Sequence, residues 1–361
     1  MTARQRMLDG WERGFGTGAD TLLTAVAGSY RGLLGVREWM YARGLLASRA
    51  LAFPVVSIGN LTVGGTGKTP AVELAVRTLT ELGHRPGVVS RGYGRRGGGL
   101  QVVADAASIR LDAEEAGDEP FLLARRLPGV PVVVGANRYE AGQLARTRFG
   151  VSAIVLDDGF QHRTVRKDLE IVMARASAPW GNGRLLPGGP LREPLSALRR
   201  ADLVIATGAH EAADGDEVAR ALARHAPGVP LLTAVHVATE CFEAGTMRFV
   251  PLSALGGARL LAFAGIASPG GFRRTLGESR VSLTGFHEFR DHHWYSREDL
   301  VRLENVATAA GSDGLVTTEK DWVRLRRLPA LRRPLYVLSV RLRLTSGEDA
   351  WRAAFARLRP Q

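Results

Sequence analysis

The sequence predicts an α/β protein: a mostly parallel sheet, then a second, smaller α/β unit, with an amphipathic helix ahead of both. Three observations carry this. Short apolar, β-branched runs alternate with helix-like stretches from residue 53 onward. The first of these runs enters a glycine-rich turn that ends in Gly67-Lys68-Thr69. A later run, Ala153-Ile154-Val155-Leu156, ends in the pair Asp157-Asp158.

Residues 19–50 differ in pattern from the remainder of the chain. Leu22, Leu23, Val26, Tyr30, Leu33, Leu34, Trp39, Met40, Leu45 and Leu46 recur at helical spacing, with Arg31, Arg37, Arg43 and Arg49 between them. Such a stripe either packs on a domain or lies in a membrane surface, and the pattern alone leaves both open. The expected division is an N-terminal helical segment at 1–50, a core domain at 51–215, a smaller α/β domain at 216–345, and a C-terminal helix at 346–361 packing back on the core.

The first strand is expected at 53–58. It leads into Asn60-Leu61-Thr62-Val63-Gly64-Gly65-Thr66-Gly67-Lys68-Thr69-Pro70. Glycines at 64, 65 and 67 let the backbone curl so that several N–H groups face one anion, and the following helix adds the positive end of its dipole. This is the build of a P-loop, as in P-loop NTPases. Gly64, Gly65, Thr66 and Gly67 would cradle ATP phosphates, Lys68 would reach the β/γ-phosphates, and the Thr69 hydroxyl would hold Mg²⁺. The common pattern wants glycine where Thr62 stands, so the loop is of a variant type.

Further strands are expected at 87–90, 130–134, 153–157, 169–174 and 202–206. In such sheets ligands gather at the carboxyl ends of the strands. After the second strand comes Ser90-Arg91-Gly92-Tyr93-Gly94-Arg95-Arg96, a basic glycine-rich loop in which Arg91 and Tyr93, nearest the strand, are the functional candidates. Gly117-Asp118-Glu119-Pro120 reads locally as a helix N-cap. An apolar strand ending in Asp157-Asp158 has the Walker B arrangement, in which a carboxylate orients Mg²⁺. Adjacent side chains point apart, so one of the pair is expected to face the metal. Gln161 and His162 follow close by. Residues 179–200 form a long Pro/Gly-rich loop with Arg184 and Arg192 as candidates for holding anionic groups.

In the second unit, strands are expected at 231–237, 260–264, 281–285, 315–318 and 335–340. Phe289-Arg290-Asp291-His292-His293 concentrates titratable groups, and a histidine paired with a carboxylate as a proton acceptor is its best chemical use. Lys320, in Thr317-Thr318-Glu319-Lys320-Asp321, could pair with a nucleotide or with neighbouring acids.

Composition sets bounds. The 361 residues are ample for two cores. The single cysteine, Cys241, permits no internal disulfide and fits a reducing compartment. A net charge of +12 suggests nucleic acid, an anionic membrane surface or a phosphorylated substrate without choosing among them. No secretory signal pattern is expected in residues 1–20, which are interrupted by charges.

Taken in order, the motifs at 57–70, 90–94, 117–120, 157–162, 183–194, 289–293 and 317–321 resemble those of the tetraacyldisaccharide 4′-kinase family, over about residues 20–340. The resemblance implies an ATP- and Mg²⁺-dependent kinase that phosphorylates the 4′-hydroxyl of an acylated glucosamine disaccharide 1-phosphate in lipid A biosynthesis. It implies a seat on the cytoplasmic face of the bacterial inner membrane, and neither a nucleic acid nor a protein partner. Carried over by position, Lys68 and Thr69 contact phosphate and metal, and Asp157 and Asp158 form the metal motif. Asp118 and His292 form a base pair for the sugar hydroxyl. Arg192 acts near the phosphates, and Tyr93, Arg91, Glu119 and His162 lie near substrate; Lys320 is a further nucleotide candidate. Without the resemblance the rivals to a kinase are a non-catalytic, membrane-bound nucleotide sensor and a partitioning- or maturation-type P-loop ATPase. Its variant loops carry an early lysine where this chain has Val63.

Overall fold

A computed structural model describes residues 10–11, 17–211 and 213–358. The chain forms two compact α/β units. Unit 1 takes residues 1–91, 135–235 and 344–361, and unit 2 takes 92–134 and 236–343. The contiguous division expected at 51–215 and 216–345 therefore differs from the observed one. Residues 92–134 group with the second unit, where Asp118 meets His292 and Arg324.

In unit 1 the strand Val55–Gly59 is central. Ala153–Asp157 flanks it on one side and Leu169–Arg175 on the other, both parallel to it. Pro86–Ser90 extends the sheet beyond Ala153–Asp157, and Leu203–Thr207 and the start of Leu231–Glu243 extend it beyond Leu169–Arg175. Four of these strands are buried along their whole length, which explains their unbroken apolar runs. All run the same way, so the turns after Gly59, Ser90 and Asp157 emerge at one sheet edge.

The helix Lys68–Glu81 follows the first strand, with Gly67 at φ 80° as its N-cap. The N-terminal helix Thr17–Ala42 lays Ala27, Tyr30 and Leu34 on the core around Leu185, Leu191 and Leu198. The Tyr30 hydroxyl donates to the Arg192 carbonyl (2.9 Å), and the Arg37 guanidinium donates to the Gln161 carbonyl (2.6 Å). Its other side leaves Leu22 (66%), Leu33 (70%) and Trp39 (51%) exposed. Among the described residues no helix is long and apolar enough to cross a membrane. The C-terminal helix Glu348–Ala356 belongs to unit 1, where Trp351 Nε1 donates to Thr78 Oγ1 (3.0 Å).

Unit 2 has a parallel sheet with Arg259–Ala264 between Ser282–Glu288 and Gly314–Thr318, followed by Leu335–Ser346. Its core gathers Leu260, Ala262, Phe272, Leu276, Val316 and Leu338. The short strand Gln101–Ala104, which sequence patterning missed, pairs antiparallel with Val132–Val134. The helix Asp118–Arg126 starts one residue after Gly117. Asp118 is thus the first helical residue, and the N-cap position belongs to Gly117, not to the acids expected to cap.

Candidate active site

Each unit holds a cluster of polar side chains. In unit 1 the loop after Val55–Gly59 is curled by Gly64 (φ 111°) and Gly67 (φ 80°), conformations that side-chain-bearing residues rarely adopt. The loop is tied down on several sides. Asn60 Nδ2 donates to the Gly64 carbonyl (3.4 Å), Val63 N to the Pro190 carbonyl (2.9 Å), and Thr207 Oγ1 to the Thr66 carbonyl (3.1 Å). Arg192 N donates to the Leu61 carbonyl (2.7 Å), so the loop at 179–200 is anchored beside the phosphate loop.

Lys68 Nζ lies 3.4 Å from both Asn60 Oδ1 and Asp158 Oδ1. Arg192 Nη1 grips both Asp158 oxygens, at 3.0 and 2.8 Å, and reaches Gln161 Oε1 at 3.3 Å. Burial acts to raise the Asp158 pKa, but the Lys68 and Arg192 charges outweigh it and hold the carboxyl below its ordinary value. Asp158 itself has φ 54°, a left-handed conformation that Asp tolerates better than most residues. The two aspartates differ accordingly: Asp157 Oδ2 accepts from Ser90 Oγ at 2.9 Å, while Asp158 meets the two cations. Gly159 is required beside them, since a Cβ there would sit 2.6 Å from Ser57 Oγ.

The residues fit Mg²⁺. The Thr69 hydroxyl is buried and makes no hydrogen bond, a costly state unless a ligand completes it. Two carboxylates stand in the same motif. Among the described residues no group of three or more His, Cys, Asp or Glu forms an all-protein metal cage. That suits an ion which keeps waters and takes phosphate oxygens alongside one or two carboxylates.

In unit 2, Asp118 opens the helix Asp118–Arg126 and accepts at Oδ1 from Glu119 N (2.9 Å). His292, on the turn after Ser282–Glu288, is held at φ 61° with its N–H on the Gly265 carbonyl (3.1 Å). Its Nδ1 lies 3.0 Å from Asp118 Oδ2, and its Nε2 lies 3.9 Å from Asp291 Oδ1. Burial would raise the Asp118 pKa. The His292 hydrogen bond and the charges of Arg324 and Lys320 override it and hold the carboxyl far below the usual carboxylate range. Asp118 is therefore a fixed carboxylate.

Lys320 Nζ pairs with Glu119 Oε1 (2.7 Å), so of the partners left open by the sequence the structure shows the acid. His293 instead bonds Asp299 (2.9 Å), within the capping box of helix Arg297–Ala309. This distinguishes the two adjacent histidines. Tyr93 is exposed, and so is Arg91. His162 Nε2 contacts Thr164 Oγ1 at 2.7 Å; burial first, then Arg138, Lys167, Arg37 and Arg91, lower its pKa from 6.5 to about 4. Sequence patterning missed Asn60, Ser90 and Arg324. The only available signal for Arg324 was its place one helical turn after Lys320.

A glycine-rich phosphate loop with Lys68-Thr69, a strand ending in Asp157-Asp158, and an aspartate–histidine pair together define a P-loop phosphotransferase rather than a bare ATPase. The sequence model of the tetraacyldisaccharide-1-P 4′-kinase family, LpxK, matches residues 19–358. The chain belongs to this family. It is 42% identical to the tetraacyldisaccharide 4′-kinase of Syntrophus aciditrophicus (strain SB) over 324 residues, 87% of each chain. It is 45% identical to that of Anaeromyxobacter dehalogenans (strain 2CP-C) over 332 residues, 91% of this chain and 87% of the relative. A crystal structure of LpxK from Aquifex aeolicus in complex with ATP superposes with a TM-score of 0.76 at 29% identity, covering 95% of this chain and all of that one. The chain is accordingly an ATP-dependent kinase of lipid A biosynthesis.

Proposed function

We propose that the two clusters divide the phosphorylation of tetraacyldisaccharide 1-phosphate at its 4′-hydroxyl. The loop amides of residues 64–68, Lys68 and Arg192 bind and orient the ATP phosphates, and Thr69, Asp157 and Asp158 hold Mg²⁺. Bound there, the ion supplies charge neutralisation on the phosphates. His292, with Nδ1–H donated to Asp118, presents Nε2 as the acceptor for the 4′-hydroxyl proton. As that proton leaves, the hydroxyl oxygen bonds to the γ-phosphorus and the bond to the ADP oxygen breaks, its electron pair leaving with ADP. Glu119, Arg91, Tyr93 and His162 contact the sugar or its phosphate, and Lys320 acts through Glu119.

The observation that carries this reading is the 3.0 Å contact of His292 Nδ1 with Asp118 Oδ2, since hydrolysis or partner switching does not need a base reserved for an alcohol. The exposed row Leu22, Val26, Leu33, Val36 and Trp39 supports seating on the cytoplasmic face of the inner membrane, where the lipid acceptor lies. Purified enzyme, γ-labelled ATP, Mg²⁺ and the lipid acceptor in detergent should give labelled lipid. Hydrolysis of ATP without labelled lipid would sink the assignment.

A further inference from the structure

Arg324 lies outside every motif that identified the site, yet its side chain is 1% exposed and ends at the heart of the unit 2 cluster. Its Nε donates to Asp118 Oδ2 at 3.0 Å, and Nη2 bonds the same oxygen. Nη1 donates to the Gly265 carbonyl (2.9 Å) and stands 3.6 Å from Asp321 Oδ1. Nη2 is also 3.1 Å from His292 Nδ1. A guanidinium has donors only and keeps its charge in proteins. Three donors, Nε–H and Nη2–H of Arg324 and Nδ1–H of His292, therefore converge on one carboxylate oxygen. Gly265 receives both Arg324 Nη1 and the His292 backbone N–H, so one turn fixes the guanidinium and the histidine together.

We propose that Arg324 is a positioning residue for the base: it fixes Asp118 as a carboxylate, thereby fixes the His292 tautomer with Nε2 open, and limits how tightly the ring holds the proton it collects. This deepens the reading of Asp118 and His292 as the base pair and rests on it. Being buried, Arg324 does not reach a substrate, so its influence passes through these two side chains. An unshielded carboxylate beside an imidazole stabilises the imidazolium, and a protonated ring at the start of the cycle is no base. The guanidinium takes up part of the carboxylate's charge and repels a positive ring at short range. Other charged groups bear on the cluster: Asp291 stands 3.9 Å from the ring's Nε2, Lys320 acts on Asp118, and Asp321 faces the guanidinium.

The test uses full-length enzyme in detergent with ATP and the tetraacylated acceptor, comparing Arg324→Met, Arg324→Lys, His292→Gln and the double variant H292Q/R324M. For R324M we expect kcat at neutral pH to fall on the order of tenfold, with both KM values little changed. The ascending limb of its kcat–pH profile should move to higher pH, because the ring protonates more readily without its cationic neighbour. R324K, which keeps the charge but loses the fork, should keep the limb near that of the parent and lose part of kcat. In the H292Q background, R324M should cost less than about twofold, since the group it acts through is gone. Equal losses in both backgrounds, an unmoved limb in R324M, or a loss confined to KM would overturn the proposal. Should R324M not fold, R324K carries the test: a kcat loss that persists undiminished in H292Q counts against the proposal. If H292Q alone turns over like the parent, the base assignment falls instead, and the two failures are distinct.

Discussion

Replacing Asp118 by alanine separates catalysis from stability. The Asp118 carboxylate is the close partner of Arg324, whose side chain is 1% exposed. Removing one member of a buried ion pair costs about 3–5 kcal/mol, because the other charge stays buried. Arg324 would retain the Gly265 carbonyl at 2.9 Å and Asp321 at 3.6 Å, which places the expected loss near the lower end, at about 3 kcal/mol. The imidazole would lose the acceptor that fixes its tautomer, and turnover should fall by roughly 100- to 10,000-fold, or about 3–5 kcal/mol in the barrier. The double variant D118A/R324M removes both charges, so it should recover most of the stability while turnover stays low. The assays are label transfer into lipid, urea unfolding, and ATP binding. Binding should survive, because the phosphate loop belongs to unit 1. If turnover returns in the double variant together with stability, Asp118 mattered only for folding, and the base role is refuted.

Three further outcomes are expected. Thr69→Val removes a buried hydroxyl that makes no hydrogen bond, so stability should hold or rise by up to about 1 kcal/mol while Mg²⁺-dependent turnover falls on the order of 100-fold; marked destabilisation would contradict the metal role. His162 protonates near its ordinary value when unfolded but only at about 4 when folded, so its contribution is present above about pH 6.5 and lost as pH falls toward 4. The ring is partly exposed, so the loss should be about 1–2 kcal/mol; denaturant midpoints of parent and His162→Gln should diverge less at low pH if the sign is right, the variant being flatter. Gly59→Ala would push a Cβ to 2.5 Å from Phe160 Cβ and 2.7 Å from Phe160 N, and calorimetry should show a loss of about 1–3 kcal/mol with weaker ATP binding.

Much of the architecture was legible because parallel strands buried on both faces leave continuous apolar runs. All eleven expected strands, from Val55–Gly59 through Leu335–Ser346, overlap an observed one with starts within two residues. Gln101–Ala104 was not legible: it is four residues long, follows a glycine run, and is half-exposed at one end. The phosphate loop and the Asp157-Asp158 motif were legible because their chemistry is local to a strand end. What separates Asp157 from Asp158 is not local. It lies in Ser90 on one strand end, Lys68 at a helix start and Arg192 on a loop. Arg324 was hidden for a different reason: in a chain so rich in arginine, residue type carries no signal, and what sets this one apart is its pairing with Asp118 and His292. The allocation of residues 92–134 to unit 2 depends on pairs such as Asp118 with His292, 174 residues apart, which no window of sequence displays.

The threading of the chain through its two units has a consequence for biosynthesis. Unit 1 is assembled from three stretches, the last of which is 344–361. Its closing helix supplies Trp351 to Thr78, and the Leu358 carbonyl receives the His84 ring. A ribosome delivers Trp351 273 residues after Thr78. Unit 1 therefore cannot finish packing until that helix emerges, although its first strand is made early. Unit 2, whose last residue is 343, has its full complement slightly sooner. During that interval the exposed apolar side chains of the helix Thr17–Ala42 are already outside the ribosome, ahead of the core that part of the helix packs on.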